Sequence, residues 1–111
     1  MKMCEEIVPL NVLGRNDHEG RIEIMDNDGK YGQICDDFWN VVDGNVVCRI
    51  LGKGSAISAP TQAFFGKGDG DIILDDVQCH GNENSLFGCT HKSSHDCIQN
   101  EAAGVVCTGI I

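Results

Sequence analysis

Asp36 and Asp37 stand side by side directly after Cys35, within the stretch Tyr31 to Gly52, YGQICDDFWNVVDGNVVCRILG. Two carboxylates beside a half-cystine are held on a rigid frame, which is what a site for a small hard cation such as Ca2+ or Mg2+ needs. A second adjacent pair, Asp75 and Asp76, lies in the apolar run Asp71 to Val77, DIILDDV. A soft-metal alternative would draw on Cys79, His80, His91, His95 and Cys97. Those residues lack the short Cys-x-x-Cys knuckle and their spacing is irregular, so they suit zinc poorly.

Catalytic chemistry finds little footing. No serine sits in a nucleophile elbow, and no Ser/His/Asp set has a suggestive context. Gly52-Lys53-Gly54-Ser55 resembles a phosphate loop only superficially: the upstream glycine is missing and a helix precedes it. Asp26-Asn27-Asp28-Gly29 is not an EF-hand loop, because Tyr31 stands where the loop glycine belongs and the terminal glutamate is absent. A non-enzymatic binding module is the expectation.

Seven cysteines in 111 residues favour an oxidising, extracellular setting. Cys79 and Cys89, ten residues apart, form a natural local staple. Cys35, Cys48, Cys97 and Cys107 remain for long-range pairing, and the sequence alone allows several connectivities. Each such crosslink is worth about 2–4 kcal/mol, which matters for a core of this modest size. Cys4 is left over, either a free thiol or half of a bridge to a neighbouring domain.

The formal charge is −9, from 17 acidic and 8 basic side chains. Arg15, Arg21, Lys30, Arg49, Lys53, Lys67 and Lys92 are scattered, without clusters or interleaved aromatics. That distribution argues against nucleic acid as a ligand. No apolar run approaches the roughly 20 residues of a spanning helix, so membrane insertion is not expected. Met1 to Cys4 has no apolar signal region, so secretion would imply an excised domain with an added start.

The elements that must position these groups can be read in order. Residues 1–6 are expected to be a disordered tail and 7–111 a single domain. Ile7 to Leu13 is strand-like, with Pro9 suggesting an edge, and Gly14 to Gly20 reads as a loop. Arg21 to Met25 alternates, with Ile22 and Ile24 on one face. Asn27-Asp28-Gly29 is a turn, and Tyr31 to Cys35 the returning strand. Phe38 and Trp39 read as core anchors. A buried helix runs from an Asp43 N-cap to Gly52 at its C-terminal cap. Lys53 to Gly70 is loop-like, anchored by Ala63-Phe64-Phe65. Asp71 to Val77 is a strand, and Cys79 to Cys89 a compact stub with Leu86 and Phe87 inward. His91 to Asn100 is a polar loop, and Ala102 to Cys107 a closing strand.

EGRIEI (19–24), YGQICDDFW (31–39), VVCRILGKG (46–54), FFGKGDGDIILDDVQCHGNENSLFGC (64–89) and NEAAGVVC (100–107) closely resemble the scavenger receptor cysteine-rich domain. The resemblance spans about Val8 to Cys107. Its six matching cysteines fit the group A subtype, since His18 and Lys53 stand where group B members carry an additional disulfide. It implies the pairs Cys35–Cys97, Cys48–Cys107 and Cys79–Cys89. It also implies an α+β fold, a curved antiparallel sheet cradling one main helix.

The resemblance further implies a cation site made by Asp36, Asp37 and Glu101, taking Ca2+ or Mg2+. A second, weaker site would use Asp75, Gln78 and Asp96. The implied role is an extracellular module that binds anionic ligands (polyanions, a microbial surface or a modified protein) or a protein partner, aided by the cation. The alternative is an accessory or docking domain of a larger secreted protease or matrix-modifying enzyme. This chain departs from the family pattern at Ala102, where a carboxylate is usual, in the shorter loop near Ser93–Ser94, and in lacking an arginine-rich surface.

Overall fold

The computed structural model describes residues 10–109 apart from 17, 27, 69, 93–96 and 98–100. The expected tail, Cys4 and the strand start at Ile7 lie outside the described residues. Seven strands and one helix occur among them: β1 (Leu10–Asn16), β2 (Glu19–Met25), β3 (Tyr31–Ile34), α1 (Val41–Leu51), β4 (Ala56–Ser58), β5 (Ile72–Gln78), β6 (Thr90–Lys92) and β7 (Gly104–Cys107). One 3-10 turn, Leu86–Gly88, precedes β6.

β2 is the axis of the sheet. Its alternation puts Gly20, Ile22 and Ile24 inward, as period-2 patterning requires. β1 pairs antiparallel along one edge, Leu10 opposite Ile24 and Val12 opposite Ile22. The other edge is shared: Glu23 to Met25 pair with β3, and Glu19 to Arg21 pair with β7. Between these partners the Ile22 amide donates to the Ala103 carbonyl at 3.1 Å, and the Ala103 amide donates to the Ile34 carbonyl at 2.8 Å. The closing segment is thus wedged between β2 and the end of β3.

The sheet is mostly antiparallel, with one exception. β3 and β5 run parallel, Gln33 opposite Ile72 and Ile34 opposite Leu74. A parallel neighbour needs a long crossover, here supplied by α1 and the segment after it. Gly32 permits the approach: a Cβ there would lie 2.4 Å from the Asp71 carbonyl oxygen. β4 and β6 were not expected; each is three residues long, too short for an alternating signal.

α1 begins one turn earlier than expected. Asn40, not Asp43, is the N-cap, its side chain accepting from the Val42 amide at 2.9 Å. Asp43 is the reciprocal partner of a capping box, Oδ2 accepting from the Asn40 amide at 2.9 Å. Its Oδ1 accepts from the Cys79 amide at 2.8 Å, tying the helix start to the end of β5. Gly52 ends the helix at φ 70°, a left-handed cap that favours glycine.

Ile22, Ile24, Ile34, Val46, Val47, Leu74, Val77 and Val105 form the core between α1 and the sheet, with Trp39 and Leu86 at its margins. Trp39 is an anchor as expected, its indole N–H donating to the Gly104 carbonyl at 2.8 Å. Phe38 is not: it points to solvent, as does Phe64 in the supposed Ala63–Phe65 anchor, and Phe87 is also exposed.

Three disulfides close the fold: Cys35–Cys97, Cys48–Cys107 and Cys79–Cys89. The second joins α1 to β7. The third staples the end of β5 to the 3-10 turn. Arg49 adds to that staple, its guanidinium donating to the carbonyls of Gly81 at 2.9 Å and Glu83 at 2.7 Å. Oxidised sulfurs at Cys79 and Cys97 rule out the zinc set built on them. Of its histidines, His91 sits 2.7 Å from the Cys89 carbonyl, and His95 lies outside the described residues.

Candidate functional site

β3 ends in an isolated antiparallel bridge between Cys35 and Ala102. The next amide along, that of Asp36, donates to the Glu101 carbonyl at 2.8 Å. This backbone match brings the remote glutamate beside the aspartate pair. A carboxylate oxygen from each of Asp36, Asp37 and Glu101 lies within 4.8 Å of the others. Asp36 and Glu101 are half-buried.

The cluster has a second support. Asp36 Oδ2 accepts from the Gln62 amide at 2.7 Å, and the Ala63 amide donates to the Ala102 carbonyl at 3.0 Å. Gln62 and Ala63 both take positive φ, 57° and 54°, and Phe38 takes 65°. Such angles are costly outside glycine and persist where surrounding bonds fix them. The Trp39 amide, donating to the Asp36 carbonyl at 3.0 Å, closes the turn that carries Phe38.

Of the second expected set, Asp75 and Gln78 are described, and neither is grouped with the other. Asp75 is 4% exposed, and its carboxylate groups with that of Asp37 beside the Cys35–Cys97 bridge. Asp75 Oδ1 accepts from the Asp76 amide at 2.7 Å. Burial raises the Asp75 carboxyl above its ordinary range; the Asp76 amide opposes this, and the charges of Asp76 and Asp37 add to it. Asp76 takes a φ of 53° and pairs with Lys92, Nζ to Oδ2 3.2 Å. Gln78 is exposed at the end of β5, opposite Thr90, and Asp96 lies outside the described residues. The Asp37–Asp75 proximity had no sequence signal, because it depends on the parallel β3–β5 pairing. Nor did the Gln62 amide, a backbone donor that side-chain types cannot reveal.

One further group, Cys79, Glu83 and Cys89, has ligand atoms close together. Both sulfurs are oxidised, and Glu83 already accepts from the amides of His80 at 2.8 Å and Gly81 at 3.0 Å. Those bonds, the His80 amide first, lower its carboxyl below the usual range. It is a loop clasp, not a metal centre.

The arrangement of sheet, helix, bridges and acidic turn has counterparts. Residues 12–108 match the family description "Scavenger receptor cysteine-rich domain". The chain belongs to this family. It is 46% identical over 99 residues to a scavenger receptor cysteine-rich domain superfamily protein of Patiria pectinifera, covering 87% of this chain and 9% of that protein. Over 100 residues it is 46% identical to galectin-3-binding protein of Rattus norvegicus, covering 87% of this chain and 17% of that one. The chain therefore spans under a fifth of the length of these curated relatives.

Two solved scavenger receptor cysteine-rich domains share the fold. The third such domain of murine neurotrypsin superposes with a TM-score of 0.83 at 44% identity, over 91% of this chain and 96% of that one. The domain of mouse MARCO, solved in a dimeric form, superposes with a TM-score of 0.73 at 41% identity, over 87% and 92%. Among the described residues no helix is long and apolar enough to cross a membrane.

Proposed function

We propose that this scavenger receptor cysteine-rich domain is a non-catalytic, extracellular ligand-binding module whose contact face is the Asp36–Asp37–Glu101 cluster loaded with a divalent cation. The single observation supporting this is the convergence of three carboxylates within 4.8 Å on a backbone-locked frame. Hard cations take oxygen ligands at about 2.3–2.6 Å, so oxygens around one ion stand at most about 5 Å apart. The cluster meets that requirement, and its all-oxygen donor set suits Ca2+ or Mg2+ rather than zinc. Asp75, next to Asp37, would reinforce the field from behind without facing solvent itself.

The role follows from charge. At −9 the domain repels anionic ligands, and a bound cation reverses the sign locally. The cation would then bridge the acidic face to an anionic ligand or to a carboxylate of a partner protein. Three disulfides, with His18 and Lys53 at the positions of the missing fourth, support assignment to group A. Calorimetric titration with Ca2+ tests the reading: the wild-type domain binds, and Asp36→Ala/Asp37→Ala removes the heat. Retention of heat and affinity by the double variant would exclude the cluster.

An accessory role within a larger secreted protein is the second reading. It is favoured by the small share of each curated relative that this chain covers, and by a structural neighbour that is itself the third such domain of its parent.

A further inference from the structure

Two large apolar side chains beside the cluster are held out in water. Phe38 is 64% exposed and Phe64 is 66% exposed. Phe38 follows Asp37 in the chain, and Phe64 is two residues beyond Gln62, whose amide is bonded to Asp36. Both residues therefore belong to the two turns that carry or hold the aspartate pair. Each is also adjacent to a better-buried ring, Trp39 or Phe65, and Phe64 meets Phe65 edge-on with centroids 5.0 Å apart. The positive φ of Phe38 and of Gln62–Ala63 sets the turns that leave these two rings outside.

We propose that Phe38 and Phe64 are the apolar half of a docking surface for a partner protein, and that the segment they receive carries basic residues interleaved with apolar ones. This rests on the reading of this face as the binding face and specifies its occupant. Aromatic side chains rimmed by polar groups are the usual energetic anchors of protein interfaces, and polyanions offer no apolar surface to match them. The charge selects the partner's sign. A second copy of the domain carries the same −9 and is repelled. A bound divalent cation makes one positive point that takes a carboxylate of the partner, while the domain around it stays negative, −9 + 2 = −7, and draws the partner's basic residues.

The test uses three synthetic peptides of equal length: alternating Leu and Arg, alternating Ser and Arg, and alternating Leu and Glu. Each is titrated into 15N-labelled domain at physiological salt, with and without Ca2+. The Leu/Arg peptide is expected to bind most tightly and to shift amides at 36–39, 62–65 and 101–102. Phe38→Gly/Phe64→Ser is expected to weaken it roughly tenfold, with melting temperature preserved because both rings are solvent-facing. Equal affinity for the double variant, equal affinity of the Ser/Arg peptide, or preference for the Leu/Glu peptide in the absence of Ca2+ would overturn the proposal. The Ca2+ heat of the wild-type domain is read separately: its absence would remove the cation and leave the aromatic result standing.

Discussion

The Asp36 amide and the Glu101 carbonyl meet at 2.8 Å, joining the turn after β3 to the segment that opens β7. The bond is between backbones, so it survives a change of the Glu101 side chain. Glu101→Gln should therefore leave the fold intact while removing one anionic ligand. Hard-cation affinity follows ligand charge, and a loss of about tenfold or more in Ca2+ affinity is expected by calorimetry. Unaltered affinity would show that Glu101 is no ligand.

Asp43 is 1% exposed and accepts from two amides on different elements, Asn40 and Cys79. An amide side chain has one carbonyl oxygen for these two donors and brings an NH2 against one of them. Asp43→Asn should cost about 1–3 kcal/mol at pH 7 by urea denaturation.

The same carboxyl has a pH signature. Burial raises it above its ordinary value of 3.8, against the lowering effect of the Cys79 and Asn40 amides. A group raised in the folded state binds its proton more tightly there than in the unfolded chain. Its contribution is fully present below pH 3.8 and is lost as pH rises through the folded value. The stability of wild type relative to Asp43→Asn should accordingly grow as pH falls from 7 toward 4. A gap that shrinks over that range would contradict the assignment.

The buried indole N–H of Trp39 donates to the Gly104 carbonyl at 2.8 Å. Trp39→Phe fills most of the same volume but strands that buried acceptor. A loss of about 1–3 kcal/mol is expected from chemical denaturation.

Gly32 faces β5 so closely that a Cβ would fall 2.4 Å from the Asp71 oxygen and 2.6 Å from Ile73 Cδ1. Gly32→Ala must push β3 and β5 apart, costing about 1–3 kcal/mol or more. The same displacement should move Asp75 away from Asp37, visible as a fall in the Asp75 carboxyl pKa by NMR titration.

The strands with strong alternation, β2 above all, were legible because Ile22 and Ile24 mark one face unaided. Gly52 announced the helix end through its backbone freedom. The helix start was misread because Asp43 and Asn40 are both capping residues, and only three-dimensional contact with Cys79 separates their roles. Phe38 and Phe64 were misplaced because hydrophobicity alone assigns a ring to the interior, whereas backbone direction at the turn decides. The grouping of Glu101 with Asp36 and Asp37 came only through family resemblance; in the bare sequence nothing links the two segments. Asp37 beside Asp75 was invisible, since parallel pairing leaves no local signature.

Ala103 lies wedged between β2 and β3, and Cys107 holds the helix through Cys48. This domain therefore cannot finish folding on the ribosome until the segment from Ala103 to Cys107 has emerged. A premature stop before Cys107 would release a product with an unmatched thiol at Cys48, exposed to the oxidative quality control of any secretory compartment.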